Sequence, residues 1–194
     1  MLVSVLVAAL TGLLGWSFLE YMIHRFLGHD PRTRPNPFAT EHVRHHIEGG
    51  YFAPSWKKAL TATVAAAVLA WPATAVAGAT IGLSFVAGFV LAYVSYEVMH
   101  RREHTHPGSG AYSRWARRHH FQHHFGDPKR NLGVTSPIWD RVFGTYQKPD
   151  VIRVPRKLAM VWLVDPETRE ARAEHATHYV LVPERRPVAQ MPAP

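Results

Sequence analysis

The stretch YEVMHRREHTHPGSGAYSRWARRHHFQHHFGDPKRNLGVTSPIWDRVFGTY, residues 96–146, decides how this chain is organised. It contains a HxxxH motif at 100–104 and a HxxHH motif at 120–124. Residues three or four positions apart lie on the same face of a helix. Each motif is therefore predicted to present its imidazoles together from one helical face, which is the arrangement that a metal ion requires.

Two further histidine clusters lie upstream, at 24–29 and at 42–46, and the second repeats the HxxHH spacing. Four clusters in sequence favour a metal site over the alternative of a pH-sensitive basic surface. The chain has no cysteine, so the ligands must be imidazoles or carboxylates. Ten imidazoles exceed what one ion can hold, and two ions with about five each would use them. The predicted ligands are His24, His29, His42, His45, His46, His100, His104, His120, His123 and His124.

The first cluster needs a helix that ends inside it. His24 and His29 are five residues apart, which is about 140° of rotation on an ideal α-helix. Both reach one metal region only if the helix ends between them, and Gly28 and Pro31 supply that end. A short helix over 40–48 is predicted to carry the next cluster, stopped by two glycines.

The distribution of charge predicts a membrane protein. The formal net charge is +8, yet none of the 22 Lys and Arg residues falls in 1–24 or 59–100, the two apolar parts of the chain. Basic residues collected outside apolar segments follow the positive-inside rule. A nucleic-acid-binding protein would need a basic face with interleaved aromatic side chains on a soluble fold. We therefore expect the membrane as partner and no nucleic acid.

Three apolar runs, at 2–21, 59–78 and 79–98, are each long enough to cross the roughly 30 Å hydrocarbon layer as a helix. The last two are predicted to form a helical hairpin; the alternatives are a signal peptide for the first run and a buried soluble hairpin. With the N-terminus outside, three spans place every histidine cluster on the cytoplasmic side. The predicted fold is an all-α integral membrane bundle of about three helices with a cytoplasmic histidine-rich helical cap.

The sequence divides into a membrane-embedded metal-binding domain at 1–150 and a polar cytoplasmic extension at 151–194. Within the extension, 151–164 and 178–182 are candidates for short strands or an amphipathic element, and 167–175 has a helical pattern. Residues 184–194 are predicted to be a disordered tail.

Carboxylates near the clusters are candidates for orienting the rings and for balancing the charge of two divalent ions. These candidates are Glu20, Glu97 and Asp140, and for each a plain salt bridge is the alternative. Of the remaining histidines, His119 competes with His120 for a ligand role, and His120 is favoured because it completes the HxxHH spacing. His175 and His178 are expected to be solvated.

These residues resemble the membrane fatty acid hydroxylase and sterol desaturase superfamily, over about 16–147. The resemblance is carried by EYMIHRFLGH (20–29), HVRHH (42–46), YEVMHRREH (96–104), HHFQHH (119–124) and NLGVTSPIWDRVFGTY (131–146). The first and last segments are most similar to the fatty acid 2-hydroxylase branch. The resemblance implies a membrane-embedded helical bundle with a cytoplasmic histidine-rich domain, and it implies that the ten histidines above form the catalytic metal centre.

The implied activity is O2-dependent hydroxylation of a C–H bond of a fatty acyl or sphingolipid chain at a di-iron centre, where zinc can replace iron in purified material. The sequence has no fused cytochrome b5 domain, so the electrons are expected from a protein in trans, of the cytochrome b5 or ferredoxin type. Aromatic side chains such as Phe18 and Trp139 are expected to line the substrate channel or to anchor the bilayer interface. Alternatives that stay open are a carotenoid ring hydroxylase, a lipid or sterol desaturase, and a non-enzymatic metal-binding or transport protein.

Overall fold

The structure is a computed structural model, and it describes residues 1–183. The predicted disordered tail lies outside the described residues. The fold is predominantly helical, as expected, with one small sheet. Its elements are α1 (Leu2–Met22), a π-helix (Ile23–Gly28), a 3-10 turn (Pro31–Thr33), α2 (Pro37–Glu48), α3 (Ser55–Thr105), α4 (Ala111–Phe125), α5 (Ile138–Val142), β1 (Ile152–Pro155), a 3-10 turn (Arg156–Leu158) and β2 (Tyr179–Val182).

Two helical stretches in the described part of the chain are long and apolar enough to cross a membrane. They are Leu2–Gly28 and Ser55–Thr105, with mean hydropathies of 2.1 and 2.0. Only 11% and 22% of their most apolar windows are buried within the protein. A core helix of a soluble domain would bury most of such a surface, so the exposed leucines and valines of these helices require an apolar environment outside the protein.

The predicted helical hairpin is present, because α3 reverses direction at Gly78. Gly78 has φ 76° and ψ 162°, a conformation that glycine adopts readily and other residues rarely do. The two arms then run side by side: the Tyr93 hydroxyl on the second arm donates to the Lys58 carbonyl on the first, at 3.0 Å. The base of the hairpin is closed by an ion pair between Lys58 and Glu97.

Close backbone contact joins α1 to the second arm of the hairpin. A Cβ atom on Gly12 would lie 2.0 Å from the Phe85 carbonyl oxygen, and one on Gly88 would lie 2.0 Å from that of Ala9. Small residues allow this approach, which is how helices commonly associate in lipid. Next to this contact, Trp16 packs its ring edge-on against Tyr93, with centroids 4.7 Å apart.

The cap begins where α1 becomes a π-helix and the chain turns into α2. Helix α2 starts three residues earlier than predicted because the Asn36 side chain caps it, accepting from the Ala39 amide at 2.8 Å. Pro37 occupies the first position of the helix, where a missing N–H costs nothing. The helix ends at Glu48, before Gly49, as the sequence predicted.

The segment after the cap packs against α4. Strands β1 and β2 pair in parallel, and their inward side chains form a small core with Phe121 of α4 and Trp162. The predicted helix at 167–175 is wrong, because these residues form turns. Asp165 accepts from the Thr168 amide, and Arg169 has a positive φ of 62°. The turn that Asp165 caps therefore ends at Arg169, and Ala171 forms an antiparallel bridge with Val164 instead of continuing a helix.

Candidate metal centre

The structure brings all ten predicted histidines together inside the cap, as two groups of five. In each group, one ring nitrogen per residue lies within 4.8 Å of all the others. Group one consists of His24, His29, His42, His46 and His123. Group two consists of His45, His100, His104, His120 and His124.

The nitrogens of group one are packed more closely than hydrogen bonds among them allow. Five pairs of Nε2 atoms lie 2.7–3.2 Å apart. His24 and His123 have their Nδ1 atoms against the backbone carbonyls of Leu132 and Arg130, so in the neutral ring Nδ1 carries the proton and Nε2 is bare. At most three protons are therefore available for five contacts, and lone pairs face each other across the group.

Group two also contains ring nitrogens whose lone pairs have no hydrogen-bond donor in the part of the chain that the structure describes. Nε2 of His45 lies 3.0 Å from that of His100, and Nε2 of His104 lies 3.0 Å from that of His120. The Nδ1 atom of His45 donates to the Tyr51 carbonyl, which again leaves its Nε2 as a lone pair. Nε2 of His124 is buried and has no hydrogen-bond partner among residues 1–183. Buried polar atoms of this kind call for a ligand.

A metal ion in each group would satisfy these nitrogens. Imidazole nitrogens bind at about 2.1 Å, so two ligands at right angles on one ion lie about 3.0 Å apart, and opposite ligands about 4.2 Å. The observed closest contacts of 2.7–3.2 Å fit the spacing of neighbouring ligands on one ion. The all-imidazole donor sets suit iron, zinc, copper or nickel, and neither group contains a carboxylate.

Burial keeps the cap histidines in the neutral form that binds metal. Desolvation and, to a smaller extent, the Arg34 charge lower the pKa of His29 to about 4. Desolvation also lowers the pKa of His45 to about 4. In five more histidines, desolvation and the neighbouring imidazoles together lower the pKa. These five are His42, His46, His120, His123 and His124. At neutral pH all of these rings are uncharged.

The π-helix explains how His24 and His29 meet. In a π-helix the hydrogen bonds run from residue i to i+5, so residues five apart come nearly into register. The segment Ile23–Gly28 has this geometry and ends immediately before His29. The ring centroids of the two histidines are 5.1 Å apart. The expected helix end at Gly28 is present, but the π-turn that aligns the two rings was not predicted.

Asp140 and Glu20 hold the loop that orients His24. Asp140 is fully buried and accepts from the amides of Leu132 and Gly133, at 2.8 and 2.9 Å. Glu20 accepts from the Val134 amide at 2.9 Å. The carbonyl of the same Leu132 binds His24 Nδ1. The two carboxylates thus act on His24 through the backbone, and neither has a hydrogen bond to a ring of either group within residues 1–183.

Asp140 is also the partner of His119. The Nε2 atom of His119 donates to Asp140 at 3.2 Å, and both side chains are fully buried. Burial by itself would raise the pKa of Asp140, but hydrogen bonds from His119, from Thr145 and from the loop amides outweigh it and lower the pKa. His119 lies outside both groups, whereas His120 lies inside group two. The ligand role of His120 stays a prediction.

The remaining candidates have other surroundings. Glu97 forms an ion pair with Lys58 at the base of the hairpin, which agrees with the alternative that Glu97 makes a plain salt bridge. His175 is half-buried, with its ring edge-on to Trp162 at 5.1 Å, and neither it nor His178 belongs to a histidine group. Sequence reasoning missed Glu103, which is 2% exposed and whose carboxylate oxygens have no hydrogen-bond partner in the described part of the chain. The available signal was its place inside the HxxxH motif at 100–104.

Fold and site together define a class: an apolar helical bundle whose polar cap brings together two adjacent groups of five histidines, each of which could hold a metal ion. Residues 9–145 match the family model described as fatty acid hydroxylase. The chain belongs to the fatty acid hydroxylase family, and the resemblance of its motifs to that family is confirmed.

Individual relatives agree with this assignment. The chain is 36% identical over 141 residues to the ceramide very long chain fatty acid hydroxylase scs7 of Schizosaccharomyces pombe, covering 69% of this chain and 40% of that protein. It is 29% identical to the dihydroceramide fatty acyl 2-hydroxylase FAH1 of Arabidopsis thaliana, covering 75% of this chain and 62% of that protein. These relatives support the 2-hydroxylase branch, although the chain spans only about two fifths to three fifths of their length.

A solved structure supports the fold. The chain is similar to full-length scs7p, of which only the hydroxylase domain is visible, with a TM-score of 0.56 and 25% identity. The similarity covers 75% of this chain and 58% of that one.

Proposed function

We propose that this chain is an O2-dependent lipid hydroxylase with two metal ions, one in each histidine group. The observation that carries the proposal is the convergence of five ring nitrogens in each group, with more lone pairs than protons, in a member of the fatty acid hydroxylase family. When bound, two iron ions would supply the activation of O2 for oxidation of an unactivated C–H bond.

The chain's own residues prepare the two sites. Backbone carbonyls hold the Nδ1 protons of His24, His45 and His123, which directs each Nε2 atom toward its group. Phe52 packs against the rings of His45 and His100 and limits the access of water to group two. Rigid placement of the donors keeps the ligand geometry fixed while substrate approaches.

We further propose that α1 and the two arms of α3 span the membrane, with the N-terminus outside and both histidine groups at the cytoplasmic surface. The supporting observations are the low burial of the apolar helices and the absence of Lys and Arg from 1–24 and 59–100. Reporter fusions at the N-terminus and near Gly78 are expected to report the outside. A cytoplasmic signal at either place contradicts this topology.

The proposed substrate is a lipid-linked fatty acyl chain, hydroxylated close to its polar head. The names of the two relatives given above describe a ceramide very long chain fatty acid hydroxylase and a dihydroceramide fatty acyl 2-hydroxylase. A lipid anchored by its head group at the cytoplasmic surface would present its first carbons to a site where α1 and α3 enter the cap. Two electrons per turnover are proposed to come from a separate protein of the cytochrome b5 or ferredoxin type.

Expression in a host that lacks the activity, with an electron donor supplied, followed by lipid mass spectrometry, tests the proposal. One added oxygen near the carboxyl end of an acyl chain is the expected product. A lipid product that has lost two hydrogens would show that the enzyme is a desaturase and contradict the proposed hydroxylation. Oxygen on a carotenoid ring would show that the substrate is a carotenoid. If no product forms although the protein has its metal bound, the chain is a non-enzymatic metal-binding protein.

A further inference from the structure

Helix α5 presents large apolar side chains to the outside of the cap. Ile138, Val142 and Phe143 are 48%, 62% and 42% exposed. They lie in the IWDRVFG segment, residues 138–144, directly after the loop that orients His24. An exposed cluster of this kind on a polar cap indicates a surface that is covered by something apolar.

The cluster continues the exposed apolar stripe of α1. Leu10, Leu14 and Phe18 are spaced by four residues on one face of α1 and are 58%, 54% and 37% exposed. The Phe18 ring packs against Trp139 with centroids 4.8 Å apart. The ring of Phe143 stacks on Tyr21, one turn further along α1, at 5.3 Å. The surface that faces lipid on α1 therefore runs onto α5 without a break.

Two arginines border this apolar surface on the side of the cap. The Arg25 guanidinium lies 6.0 Å from the centre of the Phe143 ring and donates to the Tyr21 hydroxyl. Arg141 is exposed and lies over the Tyr146 ring at 5.1 Å. Within residues 1–183, neither arginine has a carboxylate at salt-bridge distance. Exposed apolar side chains bordered by arginines are typical of an element that lies in a membrane interface.

We propose that α5 with Phe143 is a membrane-interface element, distinct from the spans. Ile138 and Val142 enter the boundary between headgroups and acyl chains, and Arg25 and Arg141 bind anionic lipid headgroups. Trp139 occupies the level at which amphipathic aromatic rings concentrate in membrane proteins. The partner surface is thus an anionic bilayer leaflet. This inference rests on the proposed insertion of α1 in the membrane.

The absence of cysteine allows a direct test with single spin labels. Three variants are labelled in lipid vesicles of phosphatidylcholine with phosphatidylglycerol: Val142→Cys in α5, Leu14→Cys in α1 and Val161→Cys in the extension. Val161 is a matched control, since it is also a valine and is 90% exposed. The label's collisions with dissolved O2, which concentrates in lipid, are compared with its collisions with a water-soluble nickel chelate.

The label at 142 is expected to behave like the one at 14 and opposite to the one at 161. A label at 142 that meets mainly the nickel chelate, while the one at 14 stays in lipid, overturns this inference alone. If the label at 14 also meets the chelate, the proposed membrane insertion fails with it. A label at 142 shielded from both reagents would mean that protein covers α5, which also overturns the inference.

The role of the headgroups is tested separately. Arg141→Glu, or removal of phosphatidylglycerol, is expected to shift the label at 142 toward the nickel chelate. Arg153→Glu serves as the control, because Arg153 is exposed on β1, whose inward side chains pack with Phe121 of α4. An unchanged label in the Arg141→Glu variant and in vesicles without phosphatidylglycerol would overturn the assignment of anionic lipid.

Discussion

His45 and His46 are adjacent on α2, yet their rings lie in different histidine groups. Nε2 of His45 is 3.0 Å from that of His100 in group two, whereas Nε2 of His46 is 3.0 Å from that of His42 in group one. His123 and His124 on α4 divide in the same way. Each HxxHH motif therefore serves both groups, although its histidines share the inner face of one helix. The two groups therefore share their supporting helices but no histidine.

Removal of either adjacent histidine should affect one site only. His46→Ala and His45→Ala are each expected to reduce the bound metal from about two ions per chain to about one, because each variant keeps the other group complete. Metal analysis of purified protein measures this. His175→Ala is the control, since His175 belongs to neither group. Equal loss in the control would show that the ligand sets are wrong.

Asp140→Ala should disturb group one without removing a ligand. It leaves the amides of Leu132 and Gly133 without their acceptor, which is expected to cost about 3 kcal/mol of unfolding free energy. Metal affinity of group one should fall about tenfold, since His24 loses its fixed carbonyl partner. Denaturant titration and metal titration measure the two effects. Asp150→Ala, at an exposed position, should change neither.

Trp162→Phe should weaken metal binding in group two, although Trp162 lies outside residues 9–145, which match the family model. The Trp162 indole donates to the His104 carbonyl at 3.1 Å, close to the end of α3. The variant keeps a ring against Phe121 but removes the donor, at an expected cost of about 1 kcal/mol. Metal titration should show weaker binding in one of two sites. Val161→Ala is the neighbouring control, and weakening of both sites alike would contradict the prediction.

Gly88→Val should separate α1 from the second arm of α3. The added Cβ would lie 2.0 Å from the Ala9 carbonyl oxygen, so the backbones must move apart, at an expected cost of about 3 kcal/mol. Thermal unfolding in detergent measures the loss. Gly15→Ala is the matched control, because its Cβ would meet only ring atoms of Phe85 and Phe89 at 3.7–3.8 Å. Equal stability of both variants would refute this helix contact.

The metal-free protein should lose stability as the pH falls from about 6.5 toward about 4. His29 and His45 have folded-state pKa values of about 4, below the ordinary value of 6.5. In this window the unfolded chain binds more protons than the folded one, so acid favours unfolding. Thermal melts of metal-free protein at several pH values measure the slope. His45→Gln should flatten it, and an unchanged slope would contradict the assignment.

Local periodicity determined much of the architecture from sequence alone. The apolar runs, the turn near Gly78 and the four histidine clusters were all predictable, because each depends on residues a few positions apart. The choice of His120 over His119 also followed from spacing. The helix predicted at 167–175 does not form for a local reason as well, since Arg169 has a positive φ of 62° and Ala171 pairs with Val164.

Only the tertiary structure decided how the ten histidines divide into two groups. Spacing shows that His42, His45 and His46 share a helix face, but it does not show which distant ring each one meets. The carbonyl that orients His24 belongs to Leu132, 108 residues further along the chain, and the carboxylate that holds this loop comes from α5. Such contacts depend on how α1, α2, α3 and α4 pack around one point, and no periodicity in the sequence encodes that packing.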